Sequence, residues 1–201
     1  MSRLIYLHGF ASGPASQKAA FFRSRIPNLE VPDLAQGDFE HLTITGQLAV
    51  IATVARGEPA ALIGSSLGGY LAALYAARHA EVSRLVLMAP AFGFARRWAA
   101  SMNAQTWQRT GSIEVYHYGE KRERKLGYQL LEDALQYEDY PDFSQPALLF
   151  HGTQDSVVPS QYSEQFAASH PNVQLRLLKS GHELVDVLET IWQETRPFLL
   201  E

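Results

Sequence analysis

Six short apolar-rich runs punctuate this chain, at Leu4–Leu7, Leu29–Val31, Ala60–Ile63, Arg84–Met88, Ala147–Phe150 and Val173–Leu178. Each is strand-length, and helix-like stretches at 15–25, 43–56, 67–78, 160–169 and 183–198 fall between or after them. Strands that are apolar on both faces and separated by helices need cover on both sides. The pattern predicts a three-layer α/β/α sandwich with a mostly parallel sheet of about six strands. With 201 residues, the chain is long enough for one core and short for two, so a single domain is expected over 1–201.

The segment Ala91 to Gln145 breaks the rhythm, being far longer than a crossover needs. It predicts an insertion at about 92–143, at the edge of the sheet where ligands bind and where insertions act as lids. Trp98 and Trp107 within it are the candidate substrate-pocket residues, although aromatics there could equally form the insertion's own small core. Glu120 to Lys125 reads as a solvated charged face, with contact to a phosphorylated substrate such as an acyl-CoA as the alternative. A helix is predicted from Lys125 to Tyr137.

Gly64-Ser65-Ser66-Leu67-Gly68 joins the third run to a helix rich in Ala and Leu. A G-x-S-x-G sequence at a strand-to-helix turn is the signature of a nucleophile elbow. The tight turn brings the flanking positions against neighbouring backbone, which only glycine permits. A serine hydroxyl is a weak nucleophile, so it needs a base and an orienting acid. Asp155 follows the strand ending at Phe150, and His182 follows the strand ending near Leu178, giving the chain order Ser66, Asp155, His182. His182 would act as general base and Asp155 would fix its tautomer. Ser180 and Glu183 also fit a capping box, which would make His182 a bystander in a helix's first turn.

Acyl transfer also needs an oxyanion hole. Leu67 would supply one backbone N–H, and Phe10, in the His8-Gly9-Phe10 loop after the first strand, the second. His8 and His151 read as structural, and Asp33 precedes the serine and is a poor acid. His41, His79, His117 and His170 lack metal-ligand spacing, so neither metal nor cofactor is expected.

Composition narrows the partners. A net charge of -4 gives no reason to expect nucleic acid or an anionic membrane. The absence of cysteine excludes disulfides and a thiol nucleophile. Pro59 to Ala77 is uncharged, but glycines and serines interrupt it, so no membrane span is expected. The opening Met1-Ser2-Arg3 runs straight into a short apolar run unlike a signal peptide, which predicts a cytoplasmic location. A small-molecule substrate is the expected partner.

Tyr6 to Phe10, Ser12-Gly13-Pro14, Ser16 to Ala19, Ile63 to Tyr70 and Pro90-Ala91 together resemble the α/β-hydrolase superfamily, and within it the small bacterial YqiA-like esterases. The resemblance spans nearly the whole chain outside the insertion. It implies a Ser-His-Asp hydrolase acting on short acyl esters or thioesters. A peptidase or carbon–carbon bond hydrolase would use the same triad, and a binding protein could keep the fold without the chemistry.

Overall fold

The computed structural model describes residues 3–101 and 104–200. In chain order the first half runs β1 (Arg3–Leu7), α1 (Gln17–Arg23), α2 (Ile44–Ala55), β2 (Ala60–Ser65), α3 (Leu67–Ala76) and β3 (Val82–Met88). The insertion follows as α4 (Phe94–Ser101), α5 (Ala104–Thr110), β4 (Ser112–His117), β5 (Arg122–Gly127) and α6 (Gln129–Ala134). The chain ends with β6 (Ala147–Gly152), α7 (Gln161–Ser169), β7 (Val173–Leu178), a 3-10 turn at Val185–Val187 and α8 (Leu188–Leu200).

A five-stranded parallel sheet runs in the order β1-β2-β3-β6-β7, and its strands alternate faces with period two. Ile5, Leu7, Leu62, Leu85, Leu87 and Leu149 share one core with α2, α3, α7 and the insertion. Tyr6, Ile63, Val86, Met88, Leu148 and Phe150 share the other with α1 and α8. Two cores sandwich the sheet, as the doubly apolar runs require.

The expected sixth strand is reduced to one parallel bridge between Glu30 and Ile5. Glu30 accepts from Tyr6 N–H at 2.8 Å and donates to Leu4 at 2.9 Å. Pro27 and Pro32 flank it and have no N–H to extend the ladder. This bridge fixes the topology around the site. The chain leaves β1 outward to Glu30, then returns across to β2, which leads to β3 on the opposite side. The connections reverse between β1 and β2, which is where open α/β sheets form a crevice.

The insertion departs from expectation in two ways. It has no separate core of its own: Trp107, Leu126, Leu130 and Leu131 are fully buried in the main one, and Trp98 and Tyr128 pack against it. The helix expected over Lys125–Tyr137 covers only α6, because Arg122–Gly127 pairs antiparallel with β4 in a hairpin. Ile113 and Val115 in β4 pack on the core, and Gly127 N–H donates to the Glu40 carbonyl at 2.9 Å. Cross-strand pairing overrides helix-forming composition here. Within the Glu120–Lys125 run, the Glu120 carboxylate pairs with Arg122 and Arg124, so half of its six charges answer one another.

The last helix also begins later than expected. Leu184 adopts a left-handed conformation at φ 54°, and Ser180 Oγ donates to the Asp186 carboxylate instead of capping at Glu183. His182 therefore stands on a loop.

Candidate active site

Ser66 sits between β2 and α3 at φ 54° and ψ -118°, a conformation a side chain rarely adopts. Such strain costs about 1–3 kcal/mol and persists only when the surroundings over-determine it. Ser66 N–H donates to the Met88 carbonyl at 2.9 Å, and the Ser66 carbonyl accepts from Gly69, Tyr70 and Ala91. The flanking glycines are required by close approach. A Cβ on Gly64 would overlap the Gly68 carbonyl, and one on Gly68 would overlap the carbonyls of Leu7 and His8.

His182 Nε2 lies 3.0 Å from Ser66 Oγ, and His182 Nδ1 lies 2.7 Å from Asp155 Oδ2. The three residues predicted from sequence thus form one hydrogen-bonded chain. If Nδ1 carries the proton toward the carboxylate, Nε2 is left to accept from the serine hydroxyl. Asp155 Oδ1 accepts from the Val157 and Val158 N–H groups, each at 2.8 Å. His151, read from sequence as structural, proves to be a second histidine on this carboxylate. Its Nε2 is 3.2 Å from Asp155 Oδ2 and 2.8 Å from the Val158 carbonyl, and its Nδ1 is 2.7 Å from Ser163 Oγ. Burial alone would raise the Asp155 pKa, but hydrogen bonds from His151, His182 and Val158 outweigh it and hold the carboxyl well below its usual range. Asp155 is an anion at any physiological pH.

The loop after β1 lies directly against the nucleophile. A Cβ on Gly9 would stand 3.3 Å from Ser66 Cβ. His8 anchors this loop, with Nε2 3.2 Å from Leu34 N–H and Nδ1 3.0 Å from the Gly9 carbonyl. Burial lowers the His8 pKa, which suits a neutral ring that accepts from Leu34. Phe10 and Leu67 both line the cavity above Ser66, and neither backbone N–H has a protein acceptor among the described residues.

That cavity has a volume of about 810 Å³, within the size range of small-molecule sites. One part is apolar, lined by Phe10, Leu67, Phe94 and Trp98, and its mouth carries the exposed side chains of Tyr116, Tyr118 and Val157. Trp98 meets Phe10 edge-on at 4.9 Å, so it stands where the sequence reading put it. Trp107 does not. It is 0% exposed, donates through Nε1 to the Leu126 carbonyl at 3.1 Å, and ties α5 to β5 rather than lining the cavity. Tyr116 and Tyr118 are visible in the sequence as aromatics of the 92–143 segment, and their alternation along β4 and its turn is the signal that they share an exposed face. Among the described residues, no group of three or more His, Asp or Glu side chains could hold a metal. No helix there is long and apolar enough to cross a membrane, and Pro59–Ala77 is occupied by β2, the elbow and α3.

The model of the uncharacterised protein family UPF0227 matches residues 3–197. The chain belongs to that family, the YqiA-like group. Comparison with curated sequences gave no match. Among solved structures, mouse alpha/beta hydrolase domain-containing protein 10 is similar over 97% of this chain and 88% of its own, at TM-score 0.78 and 22% identity. Est1E from Butyrivibrio proteoclasticus, solved with ferulic acid, is similar over 100% and 88%, at TM-score 0.74 and 20% identity. A monoacylglycerol lipase from Paleococcus ferrophilus is similar over 98% and 89%, at TM-score 0.69 and 16% identity. These likenesses establish the α/β-hydrolase fold of this UPF0227 member.

Proposed function

We propose that the protein is a serine hydrolase that cleaves carboxylic esters or acyl thioesters through an acyl-enzyme on Ser66. The observation that carries this reading is the unbroken chain from Ser66 Oγ through His182 to Asp155, set in the wall of a largely apolar cavity. His182 Nε2 takes the Ser66 proton as Oγ attacks the carbonyl carbon, and the developing oxyanion is met by the N–H groups of Phe10 and Leu67. Collapse of the tetrahedral intermediate expels the alcohol or thiol, which receives the proton from His182. Water, deprotonated in turn by His182, then attacks the acyl carbon, and the second tetrahedral intermediate expels Ser66 Oγ, which takes that proton back from His182 as the acid leaves. Asp155 holds the tautomer and stabilises the imidazolium through both steps. The acyl chain lies along Phe10, Phe94 and Trp98, with the insertion as its roof.

A fluorophosphonate should add covalently to Ser66, and Ser66→Ala should remove both the adduct and p-nitrophenyl butyrate turnover. A Ser66→Ala enzyme that hydrolysed the ester at the parental rate would sink the reading.

A further inference from the structure

One part of the cavity is unlike the rest. Beside His182, its wall is made by Tyr6, Ser16, Gln17, Lys18 and Glu183, and the triad uses none of them. Ser16 to Lys18 belong to the N-terminal motif that the sequence reading singled out and the catalytic roles left unexplained.

Lys18 is 8% exposed, an unusual place for an ammonium. Its Nζ donates to the Glu183 carbonyl at 2.8 Å and to the Glu183 carboxylate at 3.2 Å. An ammonium has three donors, so one N–H remains uncommitted. The Glu183 side chain is 73% exposed, and together with the Asp155 carboxylate it offsets the burial only in part, so the Lys18 pKa is lowered. On the wall of the same cavity, the Tyr6 hydroxyl is fully buried beside Ser16 and Ser65, yet makes no hydrogen bond of good geometry to either. Burial keeps this phenol protonated, as a donor. A buried cation with a spare donor and a buried hydroxyl without an acceptor, both on the wall of one cavity, are a pair of unmet demands.

We propose that Lys18 and Tyr6 form a carboxylate subsite on the leaving-group side of Ser66, so that the preferred substrates are acyl esters whose alcohol or thiol carries a carboxylate. The inference rests on the serine-hydrolase reading. The side follows from position, because Glu183 adjoins His182, which returns the proton to the departing group, while the acyl side is aromatic and aliphatic apart from Arg97, whose guanidinium donates to the Val157 carbonyl. The anion follows from donor count. One N–H and one O–H match the two oxygens of a carboxylate, whereas a dianionic phosphate beside Glu183 would have a single shared cation. Because the protein's net charge is -4, recognition would be local rather than a matter of long-range steering.

The test compares butyryl esters of hydroxy acids of two, three and four carbons with their matched carboxamides, with rates counted per fluorophosphonate-titrated serine. The wild type should favour the carboxylate by about tenfold or more in kcat/KM at one or more chain lengths. Lys18→Met should bring that ratio close to one, Lys18→Arg should keep most of it, and Tyr6→Phe should lower it several-fold. The ratio is internal, so any general effect of a substitution on the His182 loop cancels. A wild-type ratio below tenfold at every length overturns the proposal, as does a ratio that Lys18→Met leaves unaltered or a phosphate counterpart hydrolysed faster than the carboxylate. Should Lys18→Met fail to fold, Tyr6→Phe decides by the same ratio. Absence of Ser66 labelling and of p-nitrophenyl butyrate turnover would instead defeat the hydrolase reading, whereas their presence with a flat ratio defeats the subsite alone.

Discussion

Asp155 accepts from two backbone N–H groups and faces two histidines, and the two rings do different work. His182 is partly exposed on a loop and reaches the serine, whereas His151 is wholly buried with both nitrogens engaged. Asp155→Asn presents an amide where a carboxylate selects the tautomer, so kcat should fall by roughly 10⁴-fold, the loss known for the equivalent change in a serine protease. Steady-state kinetics on p-nitrophenyl butyrate would measure it. His151→Leu leaves Ser163 Oγ and the Val158 carbonyl unpaired in the interior, and should cost about 1–3 kcal/mol in urea denaturation along with a lower kcat. Unchanged stability would show that water replaces the ring. The grouping of Ser66, Asp155 and His182 was legible because each follows a strand-like run in an order this fold uses. The part played by His151 was not, because a histidine before a glycine at a strand end carries no mark of which carboxylate its ring faces.

The hairpin β4-β5 and its flanking helices show where element-level reading failed and why. Lys125 to Tyr137 is rich in helix formers, and only the partner strand β4, with Gly127 tied to Glu40, makes its first residues extended. The same ambiguity put both insertion tryptophans in the pocket, since burial beneath a hairpin and exposure to a cavity ask for the same aromatic residue. They should separate cleanly on substitution. Trp107→Ala removes a fully buried ring and should cost about 3–5 kcal/mol by chemical denaturation. Trp98→Ala should cost less stability but move the optimum of a C2–C12 p-nitrophenyl acyl series. An unshifted optimum would exclude Trp98 from the acyl path. The missing sixth strand has a comparable explanation, because its apolar residues are visible in the sequence while the prolines at both ends deny it the N–H groups a ladder needs.

At the scale of the molecule, buried histidines tie stability to pH. His8 and His117 are both held below the ordinary imidazole pKa, chiefly by burial. Each takes up its proton more readily when unfolded, so their contribution is complete above about pH 6.5 and is lost as pH falls from there through the folded-state values. The slope cannot exceed about 1.4 kcal/mol per pH unit per group. His41, raised by Asp38, works in the opposite sense but is fully solvent-screened. Asp155 adds a further loss only below about pH 4, where its unfolded form protonates. Thermal melts between pH 8 and pH 5 should therefore show a falling Tm, and His8→Gln should flatten the slope. A Tm that rose on acidification would contradict this.

The hydrogen bond from Ser66 to His182 spans 116 positions of sequence, and the chain between them forms β3, β6 and β7. A chain emerging from the ribosome would complete its elbow long before it acquired a base. On the serine-hydrolase reading, Ser66 is an ordinary alcohol until the last strand docks, and a truncated or half-folded copy is inert toward acyl esters. Fluorophosphonate labelling during refolding should then appear only with the final, slowest tertiary signal, which makes this serine a timer for completion of the parallel sheet.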